Sequence, residues 1–459
     1  MAIKMFLFDR NRDTLKSNLS KVGYDLVDLV NTYGLPGFIL PPGQTNNPWV
    51  PVDRDGNVSH GLSGSDIGFG IPLLLPDADK ARNLLKDFRD KAIAAGEPEA
   101  ARVLGVELEP STMDLAPNGQ HWCAGHGMGV AFGSRKAARG LIRADVLKAR
   151  GLTGEGTKVF VVDRGFSKNY VQSLGGTYGG GLGILQGGNV TVPGIGTEAY
   201  VPLQMRHGSM LLRSLVDLAP DAEFFDLPLL PARITDVEYF ALRALFAFFA
   251  MDWFFLSSDE NWVILNAWGI VDRFAERVRG EYTNNPDHWL NVMIAGLGRR
   301  HDIVFAAGNN GQFCADPRAS GYDRGPGQSI FGANGLKDVT SVAAVRCDGA
   351  WIGASSQGPG PANFDPDGGL VEKPDLSAPS WFVENRNAGL RSSGTSGASA
   401  IVAGAIAALR SGWGNTVVSP VQMRSALRAG TRRISGSGWD NRTGAGLLNL
   451  DAAISELPS

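Results

Sequence analysis

The spacing of apolar positions changes along the chain. Near the N-terminus Leu15, Leu19, Val22, Leu26 and Val30 recur at helical intervals, and Ala81, Leu84, Leu85, Phe88 and Ala92 do so again. Two amphipathic helices are predicted there. Between them, residues 34–76 carry Pro-Pro-Gly at 41–43, Asn-Pro at 47–48 and several glycines, a turn composition from which no strand order follows. From about residue 135 the pattern becomes regular. Runs of strand length at Lys158–Val162, Glu223–Leu230, Trp262–Ala267 and Ile303–Ala307 alternate with helical stretches at Met210–Leu218, Thr235–Phe255 and Asn285–Arg300. Strands covered on both faces read as continuous apolar runs. Their alternation with helices predicts an α/β fold, a doubly wound and mostly parallel sheet flanked by helices. The change of pattern separates a smaller N-terminal accessory region, 1–134, from a main domain, 135–459.

In the main domain, polar residues stand beside glycine at element boundaries. The first run ends in Asp163-Arg164-Gly165, His207-Gly208 opens the Met210–Leu218 helix, and Ile303–Ala307 ends in Gly308-Asn309-Asn310-Gly311. Ser392-Ser393-Gly394-Thr395-Ser396-Gly397-Ala398-Ser399-Ala400 runs into the small apolar segment Ile401–Leu409. Taken singly, each has a plainer role as a strand-end turn former, helix start, left-handed turn residue or helix cap. Taken together, Asp163, His207, Asn309 and Ser396 supply an orienting acid, a base, an amide donor and a hydroxyl nucleophile. A serine at a helix start lies among free backbone N–H groups that can hold a developing oxyanion, but it needs a base and an acid to act. The order Asp, His, Ser is that of subtilisin.

On these residues the chain resembles the subtilisin-like serine proteases, the subtilases. The resemblance spans roughly 135–455 and includes Thr153-Gly154-Glu155-Gly156, Ala219-Pro220-Asp221-Ala222, Ser355–Pro359, Lys373–Pro379 and Gly444–Asn449. It implies an endopeptidase that hydrolyses a peptide or protein substrate through an acyl-enzyme. Ser396 would attack, His207 would take and return the proton, Asp163 would orient the imidazole, and the Ser396 N–H with the Asn309 side chain would hold the oxyanion. Substrate would bind as an added extended strand, with Asn266-Ala267-Trp268-Gly269 and Ala306-Ala307-Gly308 as walls of the primary pocket. The resemblance implies no cofactor for the chemistry. Structural calcium is a family feature, yet no carboxylate cluster here has a ligand spacing. Residues 1–134 would be either a prodomain removed on maturation or a domain docked permanently on the other. Four positions depart from the family pattern: Arg164 for a small hydroxyl residue, Gly397 for methionine, Ala400 for proline, and the bulky Trp268. They support a second reading, a catalytically weak or inactive subtilase-fold peptide-binding or regulatory protein.

Composition narrows the remaining classes. A net charge of −3 with interspersed signs gives no basic field for nucleic acid. The three cysteines, Cys123, Cys314 and Cys347, lack CxxC spacing, which argues against a disulfide framework and for a reducing compartment. Met1–Phe8 shows no secretory signal, so a cytoplasmic location is expected. The most apolar stretch, Tyr239–Leu256, contains Arg243 and Asp252 and reads as a buried helix, not a membrane span. His121, Cys123 and His126 lack a fourth metal ligand and lack the acid a cysteine hydrolase requires. Gly125, Gly127, Gly129 and Gly133 lack the spacing of a dinucleotide fingerprint.

Overall fold

A computed structural model describes residues 131–458 apart from 187–188, 197–200, 231–239, 257–259, 317, 366, 386–389, 435, 437 and most of 271–281. Before residue 131 it describes 3–9, 49–57, 69–75, 104–106, 112–114 and isolated positions between 17 and 94. The two predicted N-terminal stripes fall largely outside the described residues; His121, Cys123, His126, Gly125, Gly127 and Gly129 do so entirely.

Thr157–Asp163 lies at the centre of the main sheet, whose order is Leu376–Pro379, Thr340–Val345, Asp302–Ala306, Asn261–Asn266, Thr157–Asp163, Glu223–Pro228, Thr177–Gln186, Trp49–Val52. The first seven are parallel, and Trp49–Val52 closes the edge antiparallel to Thr177–Gln186. After Thr157–Asp163 the chain passes to the outer strand Thr177–Gln186, returns to place Glu223–Pro228 between the two, and then crosses to Asn261–Asn266 on the other side. The point where strand order reverses therefore lies between these two strands, where open α/β sheets place their ligand crevice.

Successive strand side chains alternate between faces, and this splits the core in two. Val159 and Val161 pack with the helices His207–Leu218 and Gly394–Arg410. Phe160 and Val162 pack on the other face with Phe240–Phe254 and Trp289–Gly298. The last helix begins later than its apolar spacing predicts. Asn285 precedes Pro286, which disfavours helical backbone, and its Oδ1 accepts from the Asp287 N–H at 3.0 Å, forming a turn instead. His288 then caps the helix, its Nδ1 accepting from the Leu290 N–H at 3.3 Å.

The glycine-rich stretch after residue 175 is a sheet strand. A Cβ on Gly181 would sit 2.1 Å from the Asp226 carbonyl oxygen, and one on Gly180 would sit 2.4 Å from that of Val52. Glycine is what lets this strand lie close between its neighbours. Val52, from the first 134 residues, is buried in the second core cluster, so the main sheet takes its edge strand from that region. The described part of 1–134 also forms an antiparallel sheet in the order Phe69–Leu75, Ile3–Asp9, Leu104–Val106.

The cysteines argue against a disulfide framework, yet one of them, Cys314, is disulfide-bonded. Cys347 is free and Cys123 lies outside the described residues. Cysteine usage therefore no longer points to a reducing compartment. No helix among the described residues is long and apolar enough to cross a membrane.

His301, just before Asp302–Ala306, is fully buried, and neither ring nitrogen has a hydrogen-bond partner among the described residues. Burial lowers its pKa to about 4, and the nearby Arg300 and Arg410 charges act in the same direction. The folded state thus holds it neutral while the unfolded chain protonates near 6.5, so its contribution is present above pH 6.5 and lost as pH falls toward 4. Roughly 2–3 kcal/mol of stability should disappear over that window. Urea denaturation of wild type and His301→Gln at pH 7.5 and 4.5 checks this. The variant should lose less stability on acidification, and equal losses would contradict the assignment.

Candidate active site

Asp163 is the last residue of the central strand and is fully buried. His207 is the first residue of its helix, and its Nδ1 lies 2.8 Å from both Asp163 carboxylate oxygens. With Nδ1–H donated to a carboxylate, Nε2 is left as the basic nitrogen. The helix start is brought close by Gly208, where a Cβ would fall 2.5 Å from the Gly165 carbonyl oxygen, in the turn that follows Asp163.

Asp226, on the neighbouring strand, holds that turn from behind. Its Oδ2 accepts from the Gly194 N–H at 2.7 Å, and the Phe166 N–H also donates to its carboxylate. Burial raises its pKa to about 8, against the pull of these N–H groups and with a smaller push from Asp163. Neutral at pH 7, Asp226 adds no second negative charge beside Asp163.

On the opposite side of the switch point, Asp302–Ala306 leads through Ala307 and Gly308, at φ +117°, to Asn309. The Asn309 Oδ1 accepts from the Thr395 N–H at 3.0 Å and from the Thr395 hydroxyl at 3.3 Å. Because a backbone N–H can only donate, this fixes the orientation of the amide. Its Nδ2 is left buried without a partner among the described residues. Thr395 in turn accepts from the Gly308 N–H at 3.1 Å.

Ser396 stands in the first turn of Gly394–Arg410, after Gly394 at φ +66°. Its Oγ donates to the Ala267 carbonyl at 3.4 Å. This helix packs directly on the histidine helix: a Cβ on Gly404 would lie 3.2 Å from Leu218 Cβ, and Ser393 Oγ lies 3.4 Å from Met210 Sδ. A Cβ on Gly397 would meet Ser392 Oγ at 2.3 Å, so a larger residue there must displace that hydroxyl. Ala400 continues the helix without interruption. Thus Asp163 is paired with His207, Asn309 with the residue before Ser396, and Ser396 with Ala267, all at the C-terminal edge of the parallel sheet.

The edge beside Ala267 is already paired. Trp268–Ile270 takes Thr112–Asp114 antiparallel, with Trp268 opposite Asp114 and Ile270 opposite Thr112. Among the described residues no group of three or more His, Cys, Asp and Glu is disposed to hold a metal ion.

Comparison with known proteins adds a family. Residues 247–446 match the model of the subtilase family. Asn309 and Ser396 lie inside the matched stretch; Asp163 and His207 precede it, Asp163 on the strand that pairs with Asn261–Asn266 and His207 on the helix that packs on Gly394–Arg410. Fervidolysin from Fervidobacterium pennivorans, a keratinolytic enzyme related to subtilisin, is 16% identical, with a TM-score of 0.50 over 100% of this chain and 62% of that one. MycP1 from Mycobacterium smegmatis is 17% identical, with a TM-score of 0.47 over 76% of this chain and 90% of that one. The fervidolysin likeness shows the fold, a subtilisin-like α/β fold. The comparison with curated proteins found no match. Family and fold together support serine protease activity. Thr395, which orients the Asn309 amide, is visible in the sequence only as a helix-cap candidate.

Proposed function

We propose that the protein is a serine endopeptidase acting on a peptide or protein substrate, with Ser396 as nucleophile, His207 as general base and then acid, and Asp163 as the acid that orients the imidazole. The observation that carries this reading is the buried Asp163–His207 pair, with Nδ1 2.8 Å from both carboxylate oxygens, on a helix packed against the one that presents Ser396. When substrate binds, the Ser396 hydroxyl turns from Ala267 toward His207 Nε2. It attacks the scissile carbonyl as its proton moves to the imidazole, the imidazolium gives that proton to the leaving amine, and water repeats the sequence on the acyl-enzyme. The tetrahedral oxyanion is held by the Ser396 N–H and the Asn309 Nδ2, a donor already oriented and without another partner. No cofactor takes part in these steps. Substrate adds as a strand along Trp268–Ile270 and so competes with Thr112–Asp114 for that edge.

Asn309→Ala tests the oxyanion assignment. Turnover should fall about 100- to 1000-fold with KM nearly unchanged, the cost measured for such a donor in subtilisin itself. Steady-state kinetics on a peptide substrate checks this; a variant with wild-type turnover would remove Asn309 from the chemistry.

A further inference from the structure

The strands Asn261–Asn266 and Asp302–Ala306 are paired up to Asn266 opposite Phe305 and then part. The gap that opens lies next to Ser396, whose Oγ contacts Ala267. A peptide laid along Trp268–Ile270 in the register of Thr112–Asp114 would run past the serine, and the alternation of strand side chains would turn one of them toward this gap. Asn334 crosses it. The Nδ2 of Asn334 donates to the Trp268 carbonyl at 3.0 Å and to the Ala306 carbonyl at 2.7 Å, one on each side. Asn334 is 3% exposed, and its Oδ1 has no partner among the described residues. The amide also fills the space over Gly269, where a Cβ would meet Nδ2 at 2.9 Å and Oδ1 at 3.0 Å.

The sides of the gap cannot retreat. The fully buried Trp268 donates its indole N–H to Asn266 Oδ1 at 3.0 Å and packs edge-on to Phe305, with ring centroids 5.5 Å apart. On the other side a Cβ at Gly308 would lie 2.5 Å from Ser356 Oγ. A long side chain entering the gap must therefore displace the Asn334 amide, leaving two buried carbonyls without their donor.

We propose that Asn334 determines the primary specificity of the site, limiting the residue whose carbonyl is attacked by Ser396 to glycine, alanine or serine. This rests on the endopeptidase reading above. Each methylene excluded from a pocket discriminates by about 10- to 200-fold. Matched peptides with alanine or phenylalanine at this position should thus differ by about 100-fold or more in kcat/KM with the wild-type protein. Asn334→Gly opens the gap and should reduce the ratio to about 10-fold or less, chiefly by raising the rate on the phenylalanine peptide. Any competition from Thr112–Asp114 affects both peptides alike and cancels in the ratio. Binding of the same peptides to Ser396→Ala, measured by calorimetry, reads the gap without turnover and should favour alanine. Wild type that cleaves or binds the phenylalanine peptide as well as the alanine one overturns the proposal, whether or not Asn334→Gly folds. Absent cleavage with a retained binding preference would overturn the endopeptidase reading and leave the role of Asn334 standing.

Discussion

Ser396→Ala should lower peptide hydrolysis about a million-fold, the loss that nucleophile removal causes in subtilisin. Replacement removes the attacking oxygen while leaving the backbone N–H and the Asn309 amide in place, so a residual rate over water is expected. The effect is chemical, not structural. Ser396 Oγ makes a 3.4 Å hydrogen bond to Ala267, and the helix behind it is anchored by buried apolar residues from Ala398 to Leu409. Thermal unfolding of the variant should match that of wild type. Because nucleophile and base act as a unit, adding His207→Ala to Ser396→Ala should cost little more. Casein or peptide cleavage that survives Ser396→Ala at the wild-type rate would place the chemistry elsewhere.

Asp163→Asn should reduce turnover about 10⁴-fold with little change in KM. Asp163 is fully buried and both its oxygens accept from His207 Nδ1. An amide can present its NH₂ to the ring, and the imidazole then keeps its proton on Nε2, where it cannot act as a base. The carboxylate also balances the imidazolium formed during attack. Fluorophosphonate reaction rates and peptide kcat should fall together, since both require deprotonation of Ser396. A variant that loses peptide cleavage yet keeps wild-type fluorophosphonate reactivity would assign Asp163 a purely structural role.

The sheet was legible because its strands are covered on both faces. Thr157–Asp163 and Asp302–Ala306 appear as apolar runs, and each leads to a polar residue beside glycine. Asp163, His207, Asn309 and Ser396 stand at such boundaries and could be singled out as candidates without knowing which strands are neighbours. The edge strand could not. Trp49-Val50-Pro51-Val52 is four residues long, contains a proline tolerated at a sheet edge, and lies in a turn-rich stretch. Thr177–Gln186 was hidden by glycines whose purpose, close approach to Asp226 and Val52, depends on the folded sheet. Contacts of long sequence separation left no local trace. Thr395 orients Asn309 across 86 residues, and Asn334 joins Trp268 across 66. The Cys314 disulfide was missed because three cysteines without a spacing motif do not reveal which of them meet.

The central claim is that Ser396 is a nucleophile activated by His207. Incubation of the wild-type protein with a fluorophosphonate, followed by peptide mass spectrometry, tests it most directly. One adduct is predicted, on Ser396, and it should be absent from His207→Ala under the same conditions. A folded wild-type protein that remains unlabelled, or carries its adduct on another residue, would contradict the account.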